Sequence, residues 1–242
     1  QVRAAPGLGP QAVLIFLAGI GWRIGGPRSA LVCLAFSLPI ALSGWWDRAM
    51  ITVYTVFVSV GLALIIGVPM GLIGAARPRR AERFLLVCDT LQTFPSFIYL
   101  IPVVMLFGVN DVAVVAAVMV FATVPIIRYT IEGLRSIPPE IEESAQMSGA
   151  SAAQLLWHVQ LPLAIPTLVV GANQSIMFAL FMVIIAAFIG TQDLGQEMQR
   201  ALSSTDVGKG LVLGLAVAFM GLLADHLLLK WARGKGTNVA PR

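Results

Sequence analysis

The sequence predicts an all-α protein that crosses a membrane six or seven times, and three observations carry that expectation. Of the 242 residues, 58% are hydrophobic and only 12% charged, and the mean hydropathy is +0.87, far from the usage of a soluble domain. The apolar residues cluster in runs close to the ~20 that a helix needs to cross ~30 Å of hydrocarbon. Between those runs the basic residues alternate in a way that defines two faces.

Taken in chain order, Ala12 to Trp22 is a short apolar run, either part of a longer helix or an interfacial one. Spans are then expected over Ser29 to Trp46, Ala49 to Ala76, Phe84 to Gly108, Val112 to Ile131, Ile165 to Gly190 and Gly208 to Leu229. Residues 1–46 form an N-terminal membrane segment, 47–229 the main membrane domain and 230–242 a basic tail. Gln1 in place of an initiator methionine points to an upstream segment, and the start lacks the combined features of a secretory signal peptide. Helix breakers lie inside several spans: Pro69 with Gly67, Gly71 and Gly74, then Pro95 and Pro102, then Pro125. Two readings fit them, close packing of membrane helices through small residues and bends that shape a gated path.

Orientation follows from the arginines and lysines. If the loop holding Arg77, Arg79, Arg80 and Arg83 is cytoplasmic, alternation adds Arg23, Arg28, Arg128, Arg135, Lys230, Arg233, Lys235 and Arg242, which makes 12 of 16 basic residues. The other face receives Asp47, Asp111, Asp193, Glu197 and Asp206 with Arg3, Arg48, Arg200 and Lys209. A pI near 9.5 does not indicate nucleic acid, because the basic residues are not clustered on an aromatic-studded surface.

On the basic-rich face lies a polar insert, residues 136–162. Pro138 and Pro139 followed by Glu140, Glu142 and Glu143 make a helix start, with carboxylates at the positive end of the dipole. The helix is expected to reach about Ser148, where Gly149 supplies a left-handed position and a sharp turn. Ser151 and Gln154 then stand in capping-box spacing for a second short helix, and Pro162 and Pro166 bracket the next span. Two helices meeting at a glycine elbow, each joined to a span, form a lever. An interfacial lipid-binding helix would need a basic face, and no lysine or arginine occurs between Ser136 and Pro162.

At these residues the sequence resembles the EAA loop of binding-protein-dependent ABC importer permeases. The pattern E-A-A, three residues, G, nine residues, I, one residue, L-P is met by Glu143, Ser144, Ala145, Gly149, Val159, Leu161 and Pro162, with Ser144 and Val159 as departures. The stretches LQTFPSFIYLIPVVMLFG from Leu91, VPIIRYTIEGLRSIPPEIEESA from Val124 and VQLPLAIPTLVVGANQSIMFAL from Val159 look like the glycine betaine, proline betaine and choline branch. The resemblance covers residues 47–229 and is weak before them. It implies a type I importer permease (MetI-like) fold in a bacterial inner membrane, with the C-terminus cytoplasmic. It implies coupling through Glu143, Ser144, Ala145, Gly149, Ala150, Leu161 and Pro162 to two copies of a separate ATPase subunit that binds ATP and magnesium. The other implied partners are an extracytoplasmic binding protein or domain, a second permease copy (identical or similar) and membrane lipid.

No catalytic or metal constellation is expected. His158 and His226 lack partners at ligand spacing, Cys33 and Cys88 stand far apart in apolar runs, and no G-x-x-x-x-G-K-[ST] loop occurs. No cofactor is therefore assigned to this chain, and it is not read as an enzyme. Polar residues inside spans form two groups, Gln92, Thr93, Ser96 and Tyr99 near Pro95, and Asn173 with Gln174. In a continuous helix Gln92, Ser96 and Tyr99 would share one face. They fit either a path for a compact zwitterion or quaternary ammonium, with aromatic faces nearby, or interhelical hydrogen bonding. Asp89 and Asp225 fall near expected cytoplasmic ends, in solvated or interfacial positions. A stand-alone transporter or channel is the rival reading; it would favour a mid-span charge and inverted repeats, and neither is evident.

Overall fold

The computed structural model describes residues 9–234, so Arg3 and most of the basic tail, including Lys235 and Arg242, lie outside the described residues. Among those described, every regular element is helical: α1 (Pro10–Leu42), α2 (Trp46–Ala75), α3 (Pro78–Thr93), α4 (Phe97–Phe107), α5 (Asp111–Arg135), α6 (Pro139–Met147), α7 (Ala152–Ile189), α8 (Leu194–Ser203) and α9 (Val207–Gly234). Five helices are long and apolar enough to cross a membrane, and six if the bent pair α3–α4 counts as one span. The larger of these counts meets the lower end of the expected range.

The centre of the bundle is α5, packed between α2 and α7. Its buried side chains run from Val114 through Val118 and Ile126 to Ile131. Close approach explains the glycines of α2: a Cβ on Gly71 would lie 2.4 Å from Cβ of Thr130, and one on Gly67 would lie 2.8 Å from Cγ2 of Ile126. Small residues therefore let these backbones meet, as in membrane helix pairs generally. Neither Pro69 nor Pro125 divides its helix, and close packing accounts for Gly67, Gly71 and Gly74. Hydroxyls supply the polar contacts between helices: Ser59 Oγ donates to the Val115 carbonyl at 3.2 Å and Ser175 Oγ to the Ala122 carbonyl at 2.7 Å.

The two N-terminal apolar runs are arms of one element folded at Gly26, whose φ of 74° is left-handed. Pro27 follows directly and favours a break. The arms pack on each other, since a Cβ on Gly21 would meet Cys33 Sγ at 2.8 Å. Each arm of roughly 16 residues measures only about 24 Å, short of the hydrocarbon thickness. The second arm lies against α9, where Ser29 Oγ and His226 Nε2 are 2.6 Å apart and the Phe36 and Phe219 rings are 5.6 Å apart.

The expected single span Phe84 to Gly108 is corrected to two helices that meet at 94°. Pro95 is the cause. It offers no N–H to the Leu91 carbonyl, and its ring clashes with a continued helix. The hydroxyl of Tyr99 donates to that carbonyl instead, so the Leu91 acceptor keeps a partner across the break. Tyr99 is itself buried against Phe121, with ring centroids 5.7 Å apart. Because the helix ends at Thr93, Gln92, Ser96 and Tyr99 do not share a helix face, contrary to the expectation from their spacing.

A second end of the bundle is closed by α8, an amphipathic helix that periodicity in the apolar spans did not reveal. The Asp193 carboxylate accepts from the Gln196 N–H at 3.0 Å and caps α8, while Thr52 Oγ1 of α2 accepts from the Leu194 N–H at 3.2 Å. Buried Glu197 draws in Arg200 and Lys209, both at 2.7 Å, and Arg48 at 3.7 Å. The ammonium of Lys209 also stands 4.6 Å from the centroid of the Trp45 ring. These charges thus fasten α2, α8 and α9 together. Burial alone would raise the Glu197 carboxyl, yet Lys209, Arg200 and Arg48 hold it below its ordinary value. Asp193 shifts the other way, raised by burial against the pull of its hydrogen bonds.

Candidate functional site

The site is the elbow between α5 and α7. Helix α5 ends at Arg135, with the Ser136 hydroxyl returning to the Gly133 carbonyl at 2.9 Å. Ile137 then packs with Leu134 of α5 and Ala164 of α7, beside Leu72 and Ala75 of α2. The base of the elbow is therefore anchored in the bundle. Its arm α6 is not, because none of its residues is buried. Pro138 and Pro139 start this arm and Glu140 and Glu142 occupy its first turn, where the dipole favours them.

The turn has the bonding of a Schellman motif. The Ala150 N–H donates to the Ala145 carbonyl at 3.1 Å and the Gly149 N–H to the Gln146 carbonyl at 2.9 Å, while Gly149 holds φ at +84°. The expected capping box also forms: the Ser151 N–H donates to Gln154 Oε1 at 2.8 Å and the Gln154 N–H to Ser151 Oγ at 3.4 Å. One expectation needs correction. The second arm is not a separate short helix ended before Pro162; it continues into the span, and α7 runs unbroken from Ala152 to Ile189. Residues Leu155–Gln160 form a π-helical stretch immediately before Pro162. The wider turn makes room where the proline removes a donor and crowds the preceding carbonyl. The second arm of the elbow and the span are thereby one helix, with no intervening loop.

One side-chain bond ties the arms together: Gln160 Nε2 donates to Glu142 Oε1 at 2.8 Å. The sequence pattern singled out Glu143 and passed over this pair, whose 18-residue separation gives no local signal. Glu143, Ser144, Gly149 and Pro162 are exposed, whereas Ala145, Ala150 and Leu161 are half-buried. Met147, at the tip, is 90% exposed and Trp157 is 65% exposed. The elbow therefore presents an apolar knob, flanked by glutamates, with no lysine or arginine of its own.

The polar residues expected along a path are placed differently from one another. Gln92 and Thr93 are exposed at the end of α3, and Ser96 is half-buried in the break. Asn173 is buried and donates to Asp225 Oδ1 of α9 at 2.6 Å, which makes it an interhelical contact and leaves Asp225 half-buried between helices. Gln174, its neighbour, is half-buried. Asp89 is not free either, for it pairs with Arg128 of α5. Among the described residues no group of three or more histidines, cysteines or carboxylates could hold a metal.

The family model for the binding-protein-dependent transport system inner membrane component matches residues 67–231. The chain belongs to that family. The match includes the whole elbow and the bent pair α3–α4. Among relatives of this permease chain, the trimethylamine N-oxide transport system permease protein TmoV of Ruegeria pomeroyi is 54% identical over 93% of the chain and 34% of TmoV. The glycine betaine/proline betaine transport system permease protein ProW of Escherichia coli is 38% identical over 90% of the chain and 61% of ProW. The glycine betaine transport system permease protein OpuAB of Bacillus subtilis is 37% identical over 91% of the chain and 79% of OpuAB. The chain thus spans about a third of TmoV and three fifths of ProW. Its fold is shared with a solved ABC transporter chain: an inward-facing structure of the MetNI methionine ABC transporter superposes with a TM-score of 0.63 at 21% identity, over 81% of this chain and 95% of that one.

Proposed function

We propose that this chain is the membrane-crossing subunit of an ATP-driven importer for a small, fully N-methylated solute of the glycine betaine and trimethylamine N-oxide kind. The carrying observation is the elbow: an exposed knob that is continuous with α7 and anchored to α5, in a chain of this family. Two copies of a separate ATPase grip it through Glu143, Ser144, Ala145, Gly149 and Ala150, with ATP and magnesium held on those subunits. The elbow face and the C-terminus are cytoplasmic. An extracytoplasmic binding protein delivers solute to the α8 face, and a second permease copy completes the pathway. Gln92, Thr93, Ser96 and Gln174 are the path residues in this reading. Nucleotide state shifts the inward-open and outward-open populations because the ATPase binds the elbow differently in each.

The solute class follows the relatives. TmoV and ProW are named for trimethylamine N-oxide and for glycine betaine with proline betaine, and all three solutes pair a methylated cationic nitrogen with an anionic oxygen. The test is uptake into vesicles that hold the permease with its co-purifying ATPase and binding protein. Accumulation of labelled glycine betaine or trimethylamine N-oxide that requires ATP supports the reading. Uptake by the permease alone, driven by an ion gradient, contradicts it.

A further inference from the structure

Asp89 of α3 and Arg128 of α5 form an ion pair, yet their side chains remain 57% and 34% exposed on this chain. Their depth makes that exposure informative. Helix α3 runs alongside α5, with Cys88 Sγ 4.0 Å from the Val124 carbonyl. At 1.5 Å per residue, Asp89 lies about 16 Å along α3 from Pro78 and Arg128 about 10 Å from the Arg135 end of α5. Arg128 thus lies inside a helix long and apolar enough to cross a membrane, and Asp89 inside the bent pair α3–α4. Half-exposed charges there face a water-filled space or another protein, because contact with lipid tails costs several kcal/mol on the order of translocon scales.

The surroundings extend the polarity. Glu82, Asp89 and Thr93 stand at i, i+7 and i+11 on α3 and so share a face, which also carries exposed Leu86, with Gln92 beside it; the four polar residues are all exposed. This stripe ends at the Pro95 break. Nε of Arg128 is buried and has no hydrogen-bond partner, so the guanidinium retains donor capacity beyond its bond to Asp89.

We infer that the stripe lines the translocation path and that the Asp89–Arg128 pair is a transient site for the solute's charge dipole. The guanidinium would donate to the carboxylate or N-oxide oxygen, and the methylated ammonium would sit beside the Asp89 carboxylate. A quaternary nitrogen has no hydrogen to donate, so only its charge is recognised there. Because Arg128 and Asp89 already bond each other, the solute competes with an existing bond and is held weakly, as release requires. This inference rests on the importer reading above.

The experiment uses the reconstituted transporter with labelled glycine betaine as probe, comparing wild type with Asp89→Asn, Arg128→Gln, the double neutral Asp89→Asn/Arg128→Gln, and the reversed pair Asp89→Arg/Arg128→Asp. The expected result is that each variant still co-purifies with the ATPase, while uptake at saturating binding protein falls at least about tenfold in all of them. Wild-type uptake by the double neutral or the reversed pair would show a structural tie only and overturn the inference. A second measurement does not depend on these variants. Thr93→Cys and Gln92→Cys, in a background with buried Cys33 and Cys88 replaced by alanine, should react with a membrane-impermeant thiol reagent and be slowed by glycine betaine. Lack of reaction at both positions would place the stripe away from water and overturn the inference. Absence of any ATP-dependent uptake by wild type would instead remove the importer reading, and this site with it.

Discussion

Replacement of Gly149 separates the backbone demand of the elbow from the demand of whatever grips it. The residue holds φ at +84°, and a Cβ built there meets nothing within 4 Å. Within this chain, an alanine therefore incurs only the left-handed penalty, about 1–2 kcal/mol. Asparagine tolerates that region and should incur less; valine, branched at Cβ, more. A penalty near 1.4 kcal/mol is about tenfold in an opening equilibrium. Hydrogen exchange at the Ala150 amide, which closes the Schellman turn on Ala145, reads that equilibrium directly. Exchange should be roughly tenfold faster in Gly149→Ala than in wild type, with Gly149→Asn between them. Co-purification of the ATPase reads the other demand: it should fall with side-chain size, so that Gly149→Asn binds less well than its backbone behaviour alone would give, and Gly149→Val fails. ATP-dependent uptake at the wild-type rate by Gly149→Val would refute the reasoning.

Further outcomes follow from the packing and the charges. Gly71→Leu should prevent α2 from seating on α5, since even a Cβ would lie 2.4 Å from Thr130, and the detergent-solubilised protein should lose its cooperative melting transition. Tyr99→Phe leaves the Leu91 carbonyl without its donor at a cost of about 1–3 kcal/mol. The melting temperature should fall, and Pro95→Ala in the same chain should recover part of the loss by restoring an N–H. Glu197→Gln should destabilise the α8 end at neutral pH by leaving Arg48, Arg200 and Lys209 without their shared carboxylate. Because the folded carboxyl has the lower pKa, its stabilisation is present above the unfolded value of about 4.3 and is lost as pH falls through the folded value. The difference in melting temperature between wild type and Glu197→Gln should therefore shrink on acidification below about pH 4.3.

The elbow was legible in the sequence because its determinants are local. A left-handed glycine, a capping box three residues apart and a proline-led helix start each act within one turn of helix. Span positions were legible for a similar reason, through runs of apolar residues. Other features depend on partners distant in sequence. The break at Pro95 reads as a kink in any single span; it becomes a 94° bend between helices whose freed carbonyl is met by Tyr99. Asn173 bonds Asp225 across 52 residues, and Gln160 bonds Glu142 across 18, so neither pairing has a periodic signature. The fold at Gly26 joined the short apolar run and the first expected span into one element. Helix α8 was missed because its apolar stripe is interleaved with Gln196, Glu197, Gln199 and Arg200.

The central claim is that a separate ATPase grips the α5–α7 elbow and moves the spans through it. Cross-linking tests that grip directly. With Ser144→Cys in a background free of Cys33 and Cys88, a short bifunctional thiol reagent should join the permease to its ATPase in one nucleotide state more than in the other. The linked complex should lose ATP-driven uptake of glycine betaine and regain it on reduction of a cleavable linker. If Ser144→Cys stays modifiable by a bulky soluble maleimide in the actively transporting complex, at the rate seen for the permease alone, nothing holds the elbow and the account is contradicted.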